Sequence, residues 1–220
     1  YTALTFILQN IAANLGGMLT PFGNPQNLYL YTKFGIPAGE FMSIMALPFV
    51  ISILLITALC FIVKPTPIEF PADTVDPLPK GKTIVYTLLF ALATAIVFRG
   101  IPYWVGLIII PAVLIFVDRK ALKLVDYPLL CTFAAFFVFS GNMARIGPVR
   151  DFVSGLLNKN TLLFSILSCQ FISNVPSAIL LSQFTDNYRE LLIGVNIGGV
   201  GTLIASLASL ITFREYTKDY

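Results

Sequence analysis

Residues 191–213 read LLIGVNIGGVGTLIASLASLITF, an apolar run interrupted at its middle by Asn196, Gly198, Gly199, Gly201 and Thr202. A helix needs about 20 apolar residues to cross a hydrocarbon core. This run is long enough, but a straight helix avoids three glycines within four positions. The same pattern stands near the other end of the chain. Asn14-Leu15-Gly16-Gly17-Met18-Leu19-Thr20 and Asn196-Ile197-Gly198-Gly199-Val200-Gly201-Thr202 share N-[LI]-G-G-x-x-T. The first copy lies in the apolar segment Thr2–Tyr31, whose centre also holds Pro21, Gly23, Asn24, Pro25 and Asn27. Each segment reads as two half-helices with an unwound middle. The plainer alternative is that the Gly-Gly pairs only let helices pack closely.

A third interruption, Ser173-Asn174-Val175-Pro176-Ser177, divides the apolar segment Thr161–Phe184. Each half is too short to cross a bilayer, so the segment reads as a re-entrant hairpin with SNVPS at its tip. Around these three breaks the pattern predicts ordinary spans at 41–63, 83–98, 101–117 and 127–143. Residues 144–159 carry Arg145, Arg150 and Asp151 and read as a segment lying along the membrane surface. Pro-rich residues 64–82 read as a linker between two halves, 1–63 and 83–220. The chain opens at Tyr1 inside an apolar segment, so it reads as part of a longer protein.

Composition agrees with a membrane setting. Of the 220 residues, 57% are hydrophobic and 11% charged, with mean hydropathy +0.85. Soluble domains carry about 25% charged residues. The net charge of +3 comes without a long basic run, which gives no support for nucleic-acid binding. There is no His. Imidazole metal sites, His-dependent nucleophilic catalysis and His proton relays are therefore excluded. Cys60, Cys131 and Cys169 sit singly in apolar runs and read as small hydrophobes. Placing 64–82, 118–126 and 214–220 on the cytoplasmic side gives that side eight Lys and Arg against six. That is a weak bias in the positive-inside direction.

With that topology the two Gly-Gly segments run in opposite directions. Broken helices in corresponding places are the mark of an inverted-repeat transporter. At a break, backbone N–H and C=O groups lose their helical partners, so the break must line a polar cavity or lie inside protein. Half-helix N-termini attract anions, and freed carbonyls can hold Na⁺. Asn14, Gly16, Gly17, Thr20, Asn24 and Asn27 from the first break are candidate ligands. Ser173, Asn174 and Pro176 come from the hairpin tip, and Asn196, Gly198, Gly199 and Thr202 from the second break. Each has a structural alternative: a good turn former for Ser173 and Asn174, satisfied backbone for Asn24 and Asn27, and a bond back to its own helix for Thr20 and Thr202.

Three stretches carry a resemblance: GGMLTPFGNPQN (16–27), SNVPSAILLS (173–182) and LLIGVNIGGVGTLIASLASLI (191–211). They resemble the ion transporter superfamily of citrate and divalent-anion symporters, NhaD-type Na⁺/H⁺ antiporters and arsenite permeases. The chain looks most like its citrate-transporter-like permeases. The resemblance implies an all-α integral membrane fold of two inverted repeats, each with a re-entrant hairpin followed by a broken helix. It places the first hairpin before Tyr1 and a final helix after Tyr220. It implies one Na⁺ site at Ser173, Asn174, Gly199 and Thr202, and half of another within Asn14–Asn27. Val175 stands where such hairpin tips carry Thr, and no Asp stands near Asn24. The implied function is secondary active transport of a small anion, inorganic or carboxylate, across the cytoplasmic membrane, coupled to Na⁺ or H⁺. A homodimer is left open, and no cofactor or enzymatic activity is implied. Na⁺/H⁺ antiport and arsenite-type efflux are alternatives within the class, and an ion channel lies outside it.

Overall fold

The structure is a computed structural model that describes residues 2–62 and 79–219. Those residues are helical, with no strand among them. In chain order the helices are α1 (Thr2–Gly16), α2 (Pro25–Lys33), α3 (Ala38–Cys60), α4 (Lys80–Val97), α5 (Tyr103–Val117) and α6 (Arg119–Lys123). They continue with α7 (Tyr127–Met143), α8 (Gly147–Lys159), α9 (Thr161–Ile172), α10 (Asn174–Leu181), α11 (Tyr188–Gly198) and α12 (Leu207–Asp219). A 3₁₀ turn, Gly17–Leu19, ends the first of them.

Helix ends follow local chemistry. Pro25 opens α2, where its missing N–H is no loss. Gly35, at φ +62°, closes α2, with Ile36 N–H donating to the Tyr31 carbonyl at 3.2 Å. Asn160 caps α9 through Leu163 N–H at 2.8 Å, and Asn187 caps α11 through Glu190 N–H at 3.4 Å. Several boundaries differ from the sequence reading. Lys80–Lys82, read as the end of the linker, form the first turn of α4 after Pro79. Asn196 and Gly198, read as loop, are the last helical residues of α11, so the second break runs from Gly199 to Ser206. The rest of the linker, 64–78, lies outside the described residues.

The chain forms two compact units, one of Tyr1–Lys64 with Leu129–Tyr220 and one of Pro65–Pro128. In the first unit α11 packs along α9 through small residues. Gly194 meets Ser165 and Gly198 meets Cys169, four residues apart on both helices. A Cβ at Gly194 would fall 2.6 Å from Ser165 Cβ, and one at Gly198 2.9 Å from Cys169 Sγ. Close approach of this kind binds helices where lipid removes the hydrophobic drive. Close packing is thus a true role of Gly198, alongside its place at the helix end. α10 packs on α9, α11 and α2. α1 packs on α3 and α12, with the Phe6 and Tyr216 rings edge-on at 5.7 Å. At the far end, Glu40 of α3 accepts from Tyr188 Oη at 2.8 Å and from Arg189 at 2.6 Å, tying α3 to the start of α11.

In the second unit, α4 packs on α5 with Gly106 under the Ile96 side chain. Lys82 pairs with Asp118 at 2.9 Å and holds its carboxyl below the ordinary carboxylate value. Asp118 also caps α6 through Lys120 N–H at 3.2 Å.

Polarity is distributed inside out. Asn27, Ser165 and Ser177 are fully buried, while Leu54, Leu55 and Phe61 are more than half exposed. Water would reverse that arrangement, and lipid favours it. Among the described residues α3 and α4 are each long and apolar enough to cross a membrane, with mean hydropathies of 2.5 and 1.4. α5 is shorter than the span read at 101–117, because Pro102 delays its start to Tyr103. α8 turns 98° away from α7, which fits a helix leaving the direction of a span. α9 and α10 form a helical hairpin whose turn is Ser173 alone.

Candidate functional site

The first break is held open by amide side chains. Asn27 donates from one Nδ2 to the carbonyls of Gly17, Met18 and Thr20 at 3.2, 3.2 and 3.3 Å. Asn24 donates to the Asn14 carbonyl at 2.9 Å. A Cβ on Gly17 would strike the Gly23 carbonyl at 2.7 Å and the Asn24 side chain harder still. Glycine is required there because the chain doubles back on itself.

The second break is held by Gln170 of α9. Its Nε2 donates to the Gly198 carbonyl at 2.8 Å, and its Oε1 accepts Thr202 N–H at 2.9 Å. Thr202 Oγ1 donates to the Gln170 carbonyl at 3.2 Å. The hairpin tip is stitched to the same break. Ala205 O accepts Asn174 N–H at 2.8 Å and Ser173 Oγ–H at 3.3 Å.

The two breaks meet at Asn196, which is 1% exposed. Its Nδ2 donates to Asn27 Oδ1 at 2.6 Å and to the Leu192 carbonyl at 2.8 Å. Its Oδ1 accepts Gln26 Nε2 at 3.1 Å and Asn24 Nδ2 at 3.4 Å. Those bonds use an amide's full capacity, and three of them, to Asn27, Gln26 and Asn24, join Asn196 to the first break, while the fourth stays within α11. A second bridge runs from Asn14 Nδ2 to Ser206 Oγ at 3.0 Å, and a third from Asn10 Nδ2 to Ser209 Oγ at 3.0 Å.

Beside this network lies a cavity of about 420 Å³. Its polar wall includes Asn14, Asn24, Gln26, Ser173, Asn174 and Ser206. Its apolar wall comes from Leu129, Phe133 and Phe136 of α7 and Leu207 and Ile211 of α12. The first turns of three helices reach it: Pro25 and Gln26 of α2, Asn174–Pro176 of α10, Leu207 and Ala208 of α12. Each N-terminus carries roughly half a positive charge. No lining residue is ionisable, and no cluster of three or more His, Cys, Asp or Glu exists among the described residues. A cation held here would meet only neutral oxygens among these lining residues, hard donors without thiolate or imidazole.

Of the candidate ligands, Asn14, Asn24, Ser173, Asn174 and Pro176 line this cavity. Gly199 adjoins it, since a Cβ there would lie 2.7 Å from Asn174 Nδ2. Asn27 and Asn196 sit behind its wall as braces, with Gly17 at the first break and Gly198 against α9. Gly16 has open space around its Cβ position. Thr202 is tied to Gln170, and neither Thr20 nor Thr202 is among the lining residues. The sequence reading did not single out Gln26, Gln170, Ser206, Phe133 or Phe136. A polar Gln inside an apolar segment was the available signal for Gln170.

Ser173 sits at φ +70°, ψ 158°, a region that is essentially glycine's. Holding a serine there costs about 1–3 kcal/mol. Ser173→Gly is therefore expected to be more stable than Ser173→Ala by about 1 kcal/mol or more. Both lose the hydroxyl, and only alanine keeps the strain. Thermal melts of the two variants in one detergent measure the difference.

The citrate transporter family profile matches residues 3–191. The chain belongs to the citrate transporter family. It is 38% identical over 213 residues to the uncharacterized transporter MJ0456 of Methanocaldococcus jannaschii, covering 94% of this chain and 57% of that protein. It is 32% identical over 214 residues to the inner membrane protein YbiR of Escherichia coli, with the same two coverages. The chain thus spans little more than half the length of these curated relatives. No solved structure matches it. Family membership makes it a transporter-family membrane protein, in keeping with its apolar exterior and buried amides.

Proposed function

We propose that the chain forms most of one substrate-binding core of a secondary active transporter, moving a small anion across the cytoplasmic membrane by alternating access. The observation that carries this reading is the meeting of two broken helices and a hairpin tip at one cavity. Two inverted repeats, with α9–α10 as a re-entrant hairpin, account for breaks in matched positions. The first turns of α2, α10 and α12 supply positive partial charge to an anion without an intramembrane Lys or Arg. Ser173, Asn174 and the Gly199 backbone offer neutral ligands to a coupling cation.

Coupling to Na⁺ or H⁺ is part of the proposal. The lack of an ionisable lining residue favours Na⁺, because no group in this wall can exchange a proton near neutral pH. It equally leaves Na⁺/H⁺ antiport without support in this part of the protein. A continuous pore is disfavoured by the cross-bonded breaks.

The whole gene product containing this chain, in liposomes, tests the reading. Radiolabelled benzoate, acetate and citrate are offered with an inward Na⁺ gradient, an H⁺ gradient or neither. At least one anion should accumulate above its outside concentration only under a gradient, and Asn174→Ala should cut that uptake at least tenfold. Equal flux without any gradient would point to a channel and overturn the proposal.

A further inference from the structure

Two separate spaces lie at the two ends of α10. At its start is the cavity, lined by Asn174 and Pro176. Past its end is a polar mouth of about 470 Å³, lined by Ser182, Gln183 and Asp186 and by Arg150, Ser154 and Asn158 of α8. No residue lines both. α10 has eight residues, so about 12 Å of helix separates them. Arg150, Asn158 and Asp186 are exposed. Hydrocarbon strongly disfavours charged groups, so the mouth lies toward water and the cavity deeper.

Two more helices run from the one space to the other. α2 starts at the cavity with Pro25 and Gln26 and ends at Lys33, whose Nζ donates to Gln183 Oε1 of the mouth at 3.4 Å. α7 lines the cavity with Phe133 and Phe136 and leads on to α8, which supplies Arg150 and Ser154 to the mouth. Between the spaces stands Tyr29, three residues beyond Gln26. Its ring lies 5.4 Å from that of Phe137 on α7. Ser182 Oγ donates to the Ile179 carbonyl at 3.0 Å, so at 2.8 Å the Tyr29 hydroxyl is the donor to Ser182. Gln183 Nε2 donates to Tyr29 Oη at 3.3 Å. Tyr29 thus ties α2 to the end of α10 through its hydroxyl and touches α7 through its ring. Four residues beyond Phe136, on the same stripe of α7, Ser140 is 0% exposed. Its hydroxyl finds no partner among the described residues. A buried hydroxyl left unpaired is destabilising where it stands.

Resting on the transport reading, we infer that Tyr29 is a gate between the mouth and the cavity, held shut in this structure. When its hydroxyl leaves Ser182 and Gln183 and its ring leaves Phe137, the seam between α2, α7 and the end of α10 admits water and the transported anion. Water then pairs the released groups, and Ser140 gains the partner that it lacks in the shut form. Opening exchanges hydrogen bonds instead of only losing them, which keeps the two forms close in free energy.

Cysteine accessibility tests the gate in the whole gene product with every native cysteine replaced by Ala. Ala208→Cys reports from the cavity and Asn158→Cys from the mouth. Sealed membrane vesicles receive a membrane-impermeant methanethiosulfonate on the side where Asn158→Cys reacts. With Tyr29 in place, Ala208→Cys should react slowly. Loss of one hydrogen bond shifts an equilibrium about fivefold, so Tyr29→Phe and Ser182→Ala should each speed that labelling about fivefold. Tyr29→Ala lacks the ring as well and should speed it further. Ser140→Ala removes the group that the shut form leaves unpaired and should slow it. Asn158→Cys should label alike in every background. Labelling of Ala208→Cys as fast as that of Asn158→Cys with Tyr29 in place would overturn the gate. So would labelling that neither Tyr29→Phe nor Ser182→Ala changes. Either result leaves the transport reading intact, since that reading falls only if no gradient drives uptake by the unaltered protein.

Discussion

Replacing Asn196 by Leu is expected to destabilise the protein by roughly 3 kcal/mol, the largest effect of any single side chain in the site. The leucine is close in size, so the loss is one of hydrogen bonds and not of volume. Asn27 Oδ1 loses its 2.6 Å donor, Gln26 Nε2 its 3.1 Å acceptor and Asn24 Nδ2 a 3.4 Å acceptor. Asn27 is fully buried and Gln26 is 2% exposed, so water cannot replace the partner of either. An unsatisfied buried group costs about 1–3 kcal/mol. Interhelical hydrogen bonds in membranes average lower, about 0.6 kcal/mol, because the unfolded chain finds other partners. Asn27 Oδ1 and Gln26 Nε2 orphaned together, with Asn24 Nδ2 left only its bond to the Asn14 carbonyl, place the total near the upper end. A double-mutant cycle with Asn27→Ala, read by denaturation in detergent, should give a coupling of about 1 kcal/mol or more. Additive losses would mean that the two breaks are not joined here.

Gly16→Ala and Gly17→Ala are expected to move stability in opposite directions. Gly16 is helical, at φ −61° and ψ −36°, and a Cβ there meets nothing within 4 Å. Alanine at a compatible helical position stabilises by about 0.4–1 kcal/mol. At Gly17 the new methyl would collide with the Gly23 carbonyl and with Asn24. Those atoms are held by the same bonds that satisfy the break, so relaxation means losing the Asn24 bond to Asn14 or the Asn27 bonds to the turn. Overpacking against fixed atoms costs about 1–3 kcal/mol, and the lost bonds add to it. Thermal midpoints of the two variants, measured side by side, carry the comparison. The same sign for both would mean that Gly17 is an ordinary helical glycine.

Much of this was legible in the residues. Asn-x-Gly-Gly patterns marked both interruptions, the first also through Pro21 and Pro25, and Ser-Asn-Val-Pro marked the hairpin, because glycine and proline act locally. Tertiary partners were not legible. Gln170 belongs to the second break only because α9 lies against α11, a packing set by Gly194 and Gly198 facing Ser165 and Cys169. Thr20 and Thr202 occupy matching places in the repeated pattern, yet Thr202 turns to the Gln170 backbone instead of the cavity. Helix ends set by polar chemistry escaped an apolar-run criterion. α11 starts at Tyr188 because the Asn187 side chain caps it through Glu190 N–H, a signal present in the sequence. α12 continues to Asp219 through Arg214, Glu215 and Lys218, where hydropathy alone would end it at Phe213.

Cross-linking the two breaks is the most direct measurement. After Cys60, Cys131 and Cys169 are replaced by Ala, Asn14→Cys and Ser206→Cys are combined in one molecule. The native side chains touch at 3.0 Å across the buried face between α1 and the second break. Mild oxidation in native membranes should link this pair in most molecules, while Gly16→Cys with Ser206→Cys stays largely free. Failure of 14 and 206 to link in folded protein, or equal linking of both pairs, would contradict a site built where the two interrupted helices meet.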